Sequence, residues 1–231
     1  MKVALWGDSL TDGKPGVAFV NVLKERLPDI QFVNYGKPGD TLKSMYKRLY
    51  EEKVETRYDM VFIWIGVNDI YSKALGVKQH PVVRDEQEFK DYYQKVIELA
   101  QNWTSKIIIV TPAIIGEQPE NQWNKELGRF VSIMKELPLL FSNVILLDIH
   151  KLFVDVLKDQ ASSNYITLKP LKVIGDVLFI KKPEKVEKKS KSRGLILTLD
   201  GVHLNGKGAN LVAKYYEEQI LSYGEGALNT H

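Results

Sequence analysis

Short runs of apolar, β-branched residues alternate along this chain with longer stretches in which apolar positions recur every three or four residues. The short runs are Lys2 to Trp6, Gln31 to Asn34, Met60 to Ile65, Lys106 to Val110 and Asn143 to Leu147. Most are nearly all apolar rather than alternating, as strands covered on both faces must be. The longer stretches are Val17 to Leu27, Thr41 to Lys53, Glu86 to Trp103, Asn121 to Leu137 and about Gly206 to Tyr223, with Asp85 and Pro119 as start signals. Strand and helix in alternation predict an α/β fold, with five parallel strands in a central sheet and crossover helices on its faces.

Residues from about 166 to 199 break this rhythm. Two β-rich pieces, Val173 to Ile180 and Leu195 to Leu199, flank a lysine-rich segment, and an inserted antiparallel β-hairpin with a charged tip is the expectation. Nothing else in the chain reads as a repeat, a linker or a shift in composition. The expected organisation is therefore one domain over residues 1–231, with the lysine-rich hairpin inserted at about 166–199.

Composition narrows the chemistry. A chain of 231 residues with 44% hydrophobic content can bury one sizeable core. The absence of cysteine excludes disulfides, a thiol nucleophile and every Cys-ligated metal site. The net charge of +3 is unevenly spread: residues 181–193 hold seven basic and two acidic side chains, which leaves the rest of the chain at −2. That basic segment has no interleaved aromatics and belongs to no recognisable nucleic-acid module, so no nucleic-acid partner is expected and the segment reads as solvated. No apolar run is long enough to span a bilayer, and Met1 to Gly7 shows no secretory pattern. The expectation is a cytoplasmic protein without integral membrane association. No Gly-x-Gly-x-x-Gly follows the first strand, and Gly206-Lys207-Gly208 is too short for a phosphate loop. His80, His150 and His231 have no metal-ligand neighbours at helical or turn spacing, so neither cofactor nor metal is expected.

Four short motifs stand at strand ends. The first strand runs into Gly7-Asp8-Ser9-Leu10, which puts a hydroxyl at the carboxyl edge of the sheet, where open α/β folds bind ligands. Taken alone, Asp8 and Ser9 also suit a plain helix cap. The second strand leads to the turn Gly36-Lys37-Pro38-Gly39-Asp40-Thr41, where Gly39 offers a backbone N–H. The third ends in Gly66-Val67-Asn68-Asp69, where Asn68 offers an amide donor that is not a base. Asp200-Gly201-Val202-His203 follows the last β-rich run. A carboxylate three residues before an imidazole can hold one ring nitrogen and leave the other free as a general base. Asp148, at the end of the fifth strand, is an alternative acid for His203. Together the motifs supply a set for acyl transfer: Ser9 as nucleophile, His203 as base, Asp200 as its orienting acid, and the N–H groups of Ser9 and Gly39 with the Asn68 amide as donors to an oxyanion. Trp6 and Trp64 lie beside the motifs and read as core or pocket wall rather than as a platform for sugars.

In order and spacing these blocks resemble the SGNH, or GDSL, hydrolases from residue 1 to about residue 222. Gly7-Asp8-Ser9 with Gly13 resembles the family's first block, Gly39-Asp40-Thr41 its second, Gly66 with Asn68-Asp69 its third, and Asp200 and His203 with Asn205 and Gly208 its last. The resemblance implies a flavodoxin-like three-layer α/β/α sandwich, serine esterase or lipase chemistry, and Ser9, Gly39, Asn68 and His203 as the functional residues, with Asp200 completing a triad. The insertion before the last block departs from the family pattern and leaves substrate choice to the loops. Neither it nor the loop Tyr71 to Arg84 is as apolar as a lipid-docking lid, which favours short acyl or acetyl esters as small-molecule substrates. A lysophospholipase or thioesterase of the same family and a ligand-binding protein without catalysis are the alternatives.

Overall fold

The five apolar runs become β1 (Lys2–Gly7), β2 (Gln31–Gly36), β3 (Met60–Trp64), β4 (Ile107–Val110) and β5 (Val144–Leu147) in a computed structural model of the chain. It describes residues 1–52, 57–76, 81–169, 175–176, 180 and 182–228, with 224–228 as backbone alone. The strands form one all-parallel sheet in the order β2-β1-β3-β4-β5. The inner strands β3 and β4 are buried at every residue, as their unbroken apolar sequences require. The edge strand β2 is partly exposed, which is why it carries Gln31 and Asn34 among its apolar residues.

The helices are α1 (Ser9–Asp12), α2 (Phe19–Arg26), α3 (Leu42–Glu51), α4 (Val67–Leu75), α5 (Glu86–Gln101), α6 (Gln122–Glu136), α7 (Ile149–Leu157), α8 (Pro183–Ser192) and α9 (Gly206–Leu228). Phe62 and Trp64 lie two residues apart in β3 and so face the same side. There Tyr216 of α9 stacks on Phe62 with ring centres 4.3 Å apart, and Phe19 of α2 meets both Trp64 and Tyr216. On the other side α3 packs on α5, and Phe89 of α5 stacks on Phe130 of α6 at 3.9 Å. These are the outer layers of the α/β/α sandwich. Side-chain caps start several of the helices: Asp85 accepts from Glu88 N at α5, and Thr41 and Ser44 form a capping box at α3.

Among the described residues the expected β-hairpin over 166–199 is not formed. Its lysine-rich tip is the helix α8, with Pro183 in its first turn, and Leu195 to Leu199 contributes only an isolated antiparallel bridge from Thr198 to Leu204. The other arm, Val173 to Ile180, lies outside the described residues except for 175, 176 and 180. Lysine and glutamate are good helix formers, and Val186, Ser190 and Arg193 recur at a spacing of three to four residues, so this segment buries one helical stripe. The hydrophobic pattern also gives no helix at α1, α4 or α7, each of which starts directly after a strand or within a motif.

Candidate active site

In the strand order, β1 has β2 on one side and β3 on the other, so the chain reverses its direction of travel across the sheet at the carboxyl end of β1. Gly7 pairs with Gly36 of β2 and with Trp64 of β3, so the loops that follow these three strands emerge side by side. They carry Ser9, Gly39 and Asn68. Ser9 is the first residue of α1, capped by Asp8, whose Oδ1 accepts from Leu10 N at 2.9 Å. Its own N–H, free at a helix start, has no acceptor among the described residues.

Gly39 adopts φ +82, the left-handed conformation that a glycine takes without strain. The turn around it is held by Arg48, whose Nε and Nη2 donate to Asp40 Oδ2 at 3.0 and 2.7 Å and whose Nη2 also donates to Tyr35 O. Asn68 Nδ2 donates to Asp40 O at 2.9 Å, which orients the amide against this turn. Asp69, the next residue, accepts from Leu42 N and Val83 N and ties the same loop to the start of α3. Burial pushes the Asp69 carboxyl up to about 6.

The last motif comes from the far end of the chain. Ser9 Oγ lies 3.0 Å from His203 Nε2, and His203 Nδ1 lies 2.8 Å from Asp200 Oδ2. Asp200 Oδ1 accepts from Val202 N at 3.0 Å and from His203 N at 2.8 Å. The residues are enclosed: Ser9 is 6% exposed, His203 4% and Asp200 0%. Burial opposes charge on the imidazole, but the neighbouring Asp200 carboxylate outweighs it and holds the His203 pKa above its ordinary value. For Asp200, burial is outweighed by the His203 ring and the two N–H donors, and its pKa stays below the usual carboxylate range. For Asp8 burial wins over the Leu10 N–H and the His203 ring. Burial pushes its carboxyl up to about 7, and Oδ2 has no partner among the described residues.

Ser9, Asp200 and His203 therefore lie in one hydrogen-bonded chain, and Asn68 meets the Gly39-Asp40 turn. Asp148 is spent elsewhere, accepting from Thr111 Oγ1 and Lys151 N and pairing with Lys135, so it is not the acid that holds His203. His150 Nδ1 pairs with Ala113 O, while His80 and His231 lie outside the described residues. Trp6 and Trp64 are buried core residues. Among the described residues no group of His, Cys, Asp and Glu gathers in a way that could hold a metal ion, and no helix is long and apolar enough to cross a membrane.

Two further features were not legible in the sequence. Glu117, in the loop after β4, is buried and accepts hydrogen bonds from residues 196–198, just before Asp200. A lone Glu in Gly-Glu-Gln-Pro reads as a surface turn, and no local signal marks it as buried. The second is the place of α8. A cavity of about 710 Å³ beside α1 is lined by Gly13, Pro15, Val17 and Asn21 on one side and by Ile180 and Pro183 on the other, so the insertion borders the segment that follows Ser9.

The family profile described as GDSL-like Lipase/Acylhydrolase matches residues 3–216. An acetylxylan esterase from Geobacillus stearothermophilus is 24% identical over 179 residues, which cover 68% of this chain and 80% of that protein. The crystal structure of an acetyl xylan esterase matches with TM-score 0.68 at 23% identity, over 95% of this chain and 100% of that one. A member of the lipolytic G-D-S-L family from Veillonella parvula matches with TM-score 0.63 at 18% identity, over 94% and 97%.

Proposed function

Because the chain belongs to the GDSL-like lipase/acylhydrolase family of carboxylic ester hydrolases, we propose that it is a serine esterase working through an acyl-serine intermediate. The observation that carries this reading is the chain Ser9 Oγ, His203 Nε2, His203 Nδ1, Asp200 Oδ2, with links of 3.0 and 2.8 Å. Neutral His203 takes the Ser9 proton as Oγ attacks the ester carbonyl, and Asp200 keeps the Nδ1–H tautomer and steadies the imidazolium. The carbonyl oxygen becomes an oxyanion, for which the N–H groups of Ser9 and Gly39 and the Asn68 amide are the proposed donors. Each donor of this kind is worth about 3 kcal/mol of barrier. Imidazolium returns the proton to the leaving alkoxide, the alcohol departs, and water, deprotonated by the same ring, releases the acid and regenerates Ser9.

We assign short acyl esters, acetyl esters in particular, as the substrate class. The names of the relatives, acetylxylan esterases, support acetyl groups carried on a sugar. The loop Tyr71 to Arg84 and the insertion are less apolar in sequence than a lipid-docking lid, which supports short chains over lipid. With p-nitrophenyl acetate, Ser9→Ala should lower kcat by at least about 10⁴-fold while the circular dichroism spectrum stays that of the wild type. The wild type, but not the variant, should be labelled by a fluorophosphonate. Undiminished turnover in Ser9→Ala would remove the reading. A rate that climbs with acyl length from acetate to decanoate would favour a lysophospholipase or thioesterase, and an unlabelled wild type would favour a binding protein.

A further inference from the structure

The loop between β4 and α6 carries a carboxylate that is wholly buried and is satisfied entirely by hydrogen-bond donors. Glu117 Oε2 accepts from Ile196 N at 2.6 Å, and Oε1 accepts from Leu197 N at 2.7 Å, Thr198 N at 2.7 Å and Thr198 Oγ1 at 2.8 Å. Three successive N–H groups turned toward one point cannot be paired by a strand or a helix. Two anionic oxygens can take them all, and charge-assisted bonds of this kind are the strong ones. Among the described residues no cation pairs with this carboxylate, and burying it so is costly, so the arrangement fixes position at the expense of desolvation.

What it fixes lies on both sides. The Glu117 backbone is trussed to α6: Asn124 accepts from Ile115 N and donates to Gly116 O and Gln118 O, and Asn121 donates to Ile115 O. Beyond Thr198 the chain enters the turn that holds Asp200 and His203. Thr198 Oγ1 accepts from Gly201 N at 3.2 Å, and Gly116 N donates to Gly201 O at 2.6 Å. Gly201 sits at φ +95, where a Cβ would lie 2.7 Å from Tyr165 O, so the turn has no room to relax.

We propose that Glu117 is a positioning residue: by gathering residues 196–198 it sets the Asp200–His203 turn, and so keeps His203 Nε2 within reach of Ser9 Oγ. The proposal rests on the esterase reading above. Glutamine is the same size but has one acceptor oxygen and brings an N–H₂ against the remaining donor. In Glu117→Gln, kcat for p-nitrophenyl acetate is expected to fall about 100-fold with KM little changed, as a displaced base demands. Fluorophosphonate labelling should slow by the same factor. The proton resonance of His203 Nδ1–H, shared with Asp200, should shift or broaden. Thr198→Val keeps the carboxylate and removes only the hydroxyl between it and Gly201, and is expected to lower kcat about tenfold. Glu120→Gln, exposed on the same loop, should match the wild type.

Wild-type kcat, labelling rate and His203 resonance in Glu117→Gln, measured below its unfolding temperature, would overturn the proposal and leave Glu117 as a strut for stability alone. Should that variant fail to fold, unchanged kcat and resonance in Thr198→Val would do the same. A wild type that neither hydrolyses nor labels would end the esterase reading instead, and the resonance would still report whether Glu117 holds the turn.

Discussion

One residue before the proposed nucleophile sits a carboxyl group with poor provision for its charge. Asp8 is fully buried, pairs through Oδ1 with Leu10 N, leaves Oδ2 alone among the described residues, and has its pKa pushed by burial up to about 7. The folded protein thus holds this proton more tightly than the unfolded chain, whose Asp titrates near 3.8. The stabilisation is complete below about pH 4 and is lost as the pH rises through about 7, a change of about 4 kcal/mol. Asp8→Asn cannot titrate, so its urea midpoint should fall less between pH 5 and pH 8 than that of the wild type. Equal shifts in the two proteins would show that Asp8 is not the group responsible. Asp69, pushed up to about 6, acts in the same direction in both. At this scale the sequence was informative where candidate chemistry is packed into short blocks, at strand ends for Ser9 and Asn68 and within one turn for Asp200 and His203. It was silent on Glu117, whose burial depends on N–H groups about eighty positions away.

Among the elements, the strands were legible because burial on both faces leaves an unbroken apolar run, whereas α8 was not. Its flanks are β-rich and its lysines suggest a solvated tip, but what decides its form is a stripe of Val186, Ser190 and Arg193. Arg193 forks onto Asp176 at 2.8 and 3.2 Å and donates to Leu199 O, and Ser190 Oγ donates to Thr198 O, so the helix is docked on the stretch that leads to Asp200. Lys185, Lys188, Lys189 and Lys191 are exposed and have no ion pairs among the described residues. Replacing these four with Gln should change stability by no more than about 0.5 kcal/mol. Val186→Asp, which puts a charge on the buried stripe, should cost about 3 kcal/mol and lower the far-ultraviolet helix signal. Chemical denaturation of the two variants side by side checks both, and a reversed order would mean that the lysines hold the helix.

For the whole molecule the relevant fact is that one apolar cluster runs from Val3 to Ile220 and joins all five strands to the helices on both faces. We expect one domain and one cooperative unfolding transition, with near- and far-ultraviolet signals changing together. Tyr216→Ala, which empties the space against Phe19 and Phe62, should cost about 3–5 kcal/mol and move both signals by the same amount. Two separated transitions would mark a second folding unit.

The span of that cluster also bears on how the molecule is made. Ser9 and His203 stand 194 positions apart, and His203 is followed closely by the helix whose Tyr216 packs in the core. A ribosome therefore delivers the hydroxyl of Ser9 long before its proposed proton acceptor. On the proposed mechanism a nascent chain that has not reached residue 203 carries Ser9 with no base to activate it, and a product that stops short of it should not hydrolyse esters.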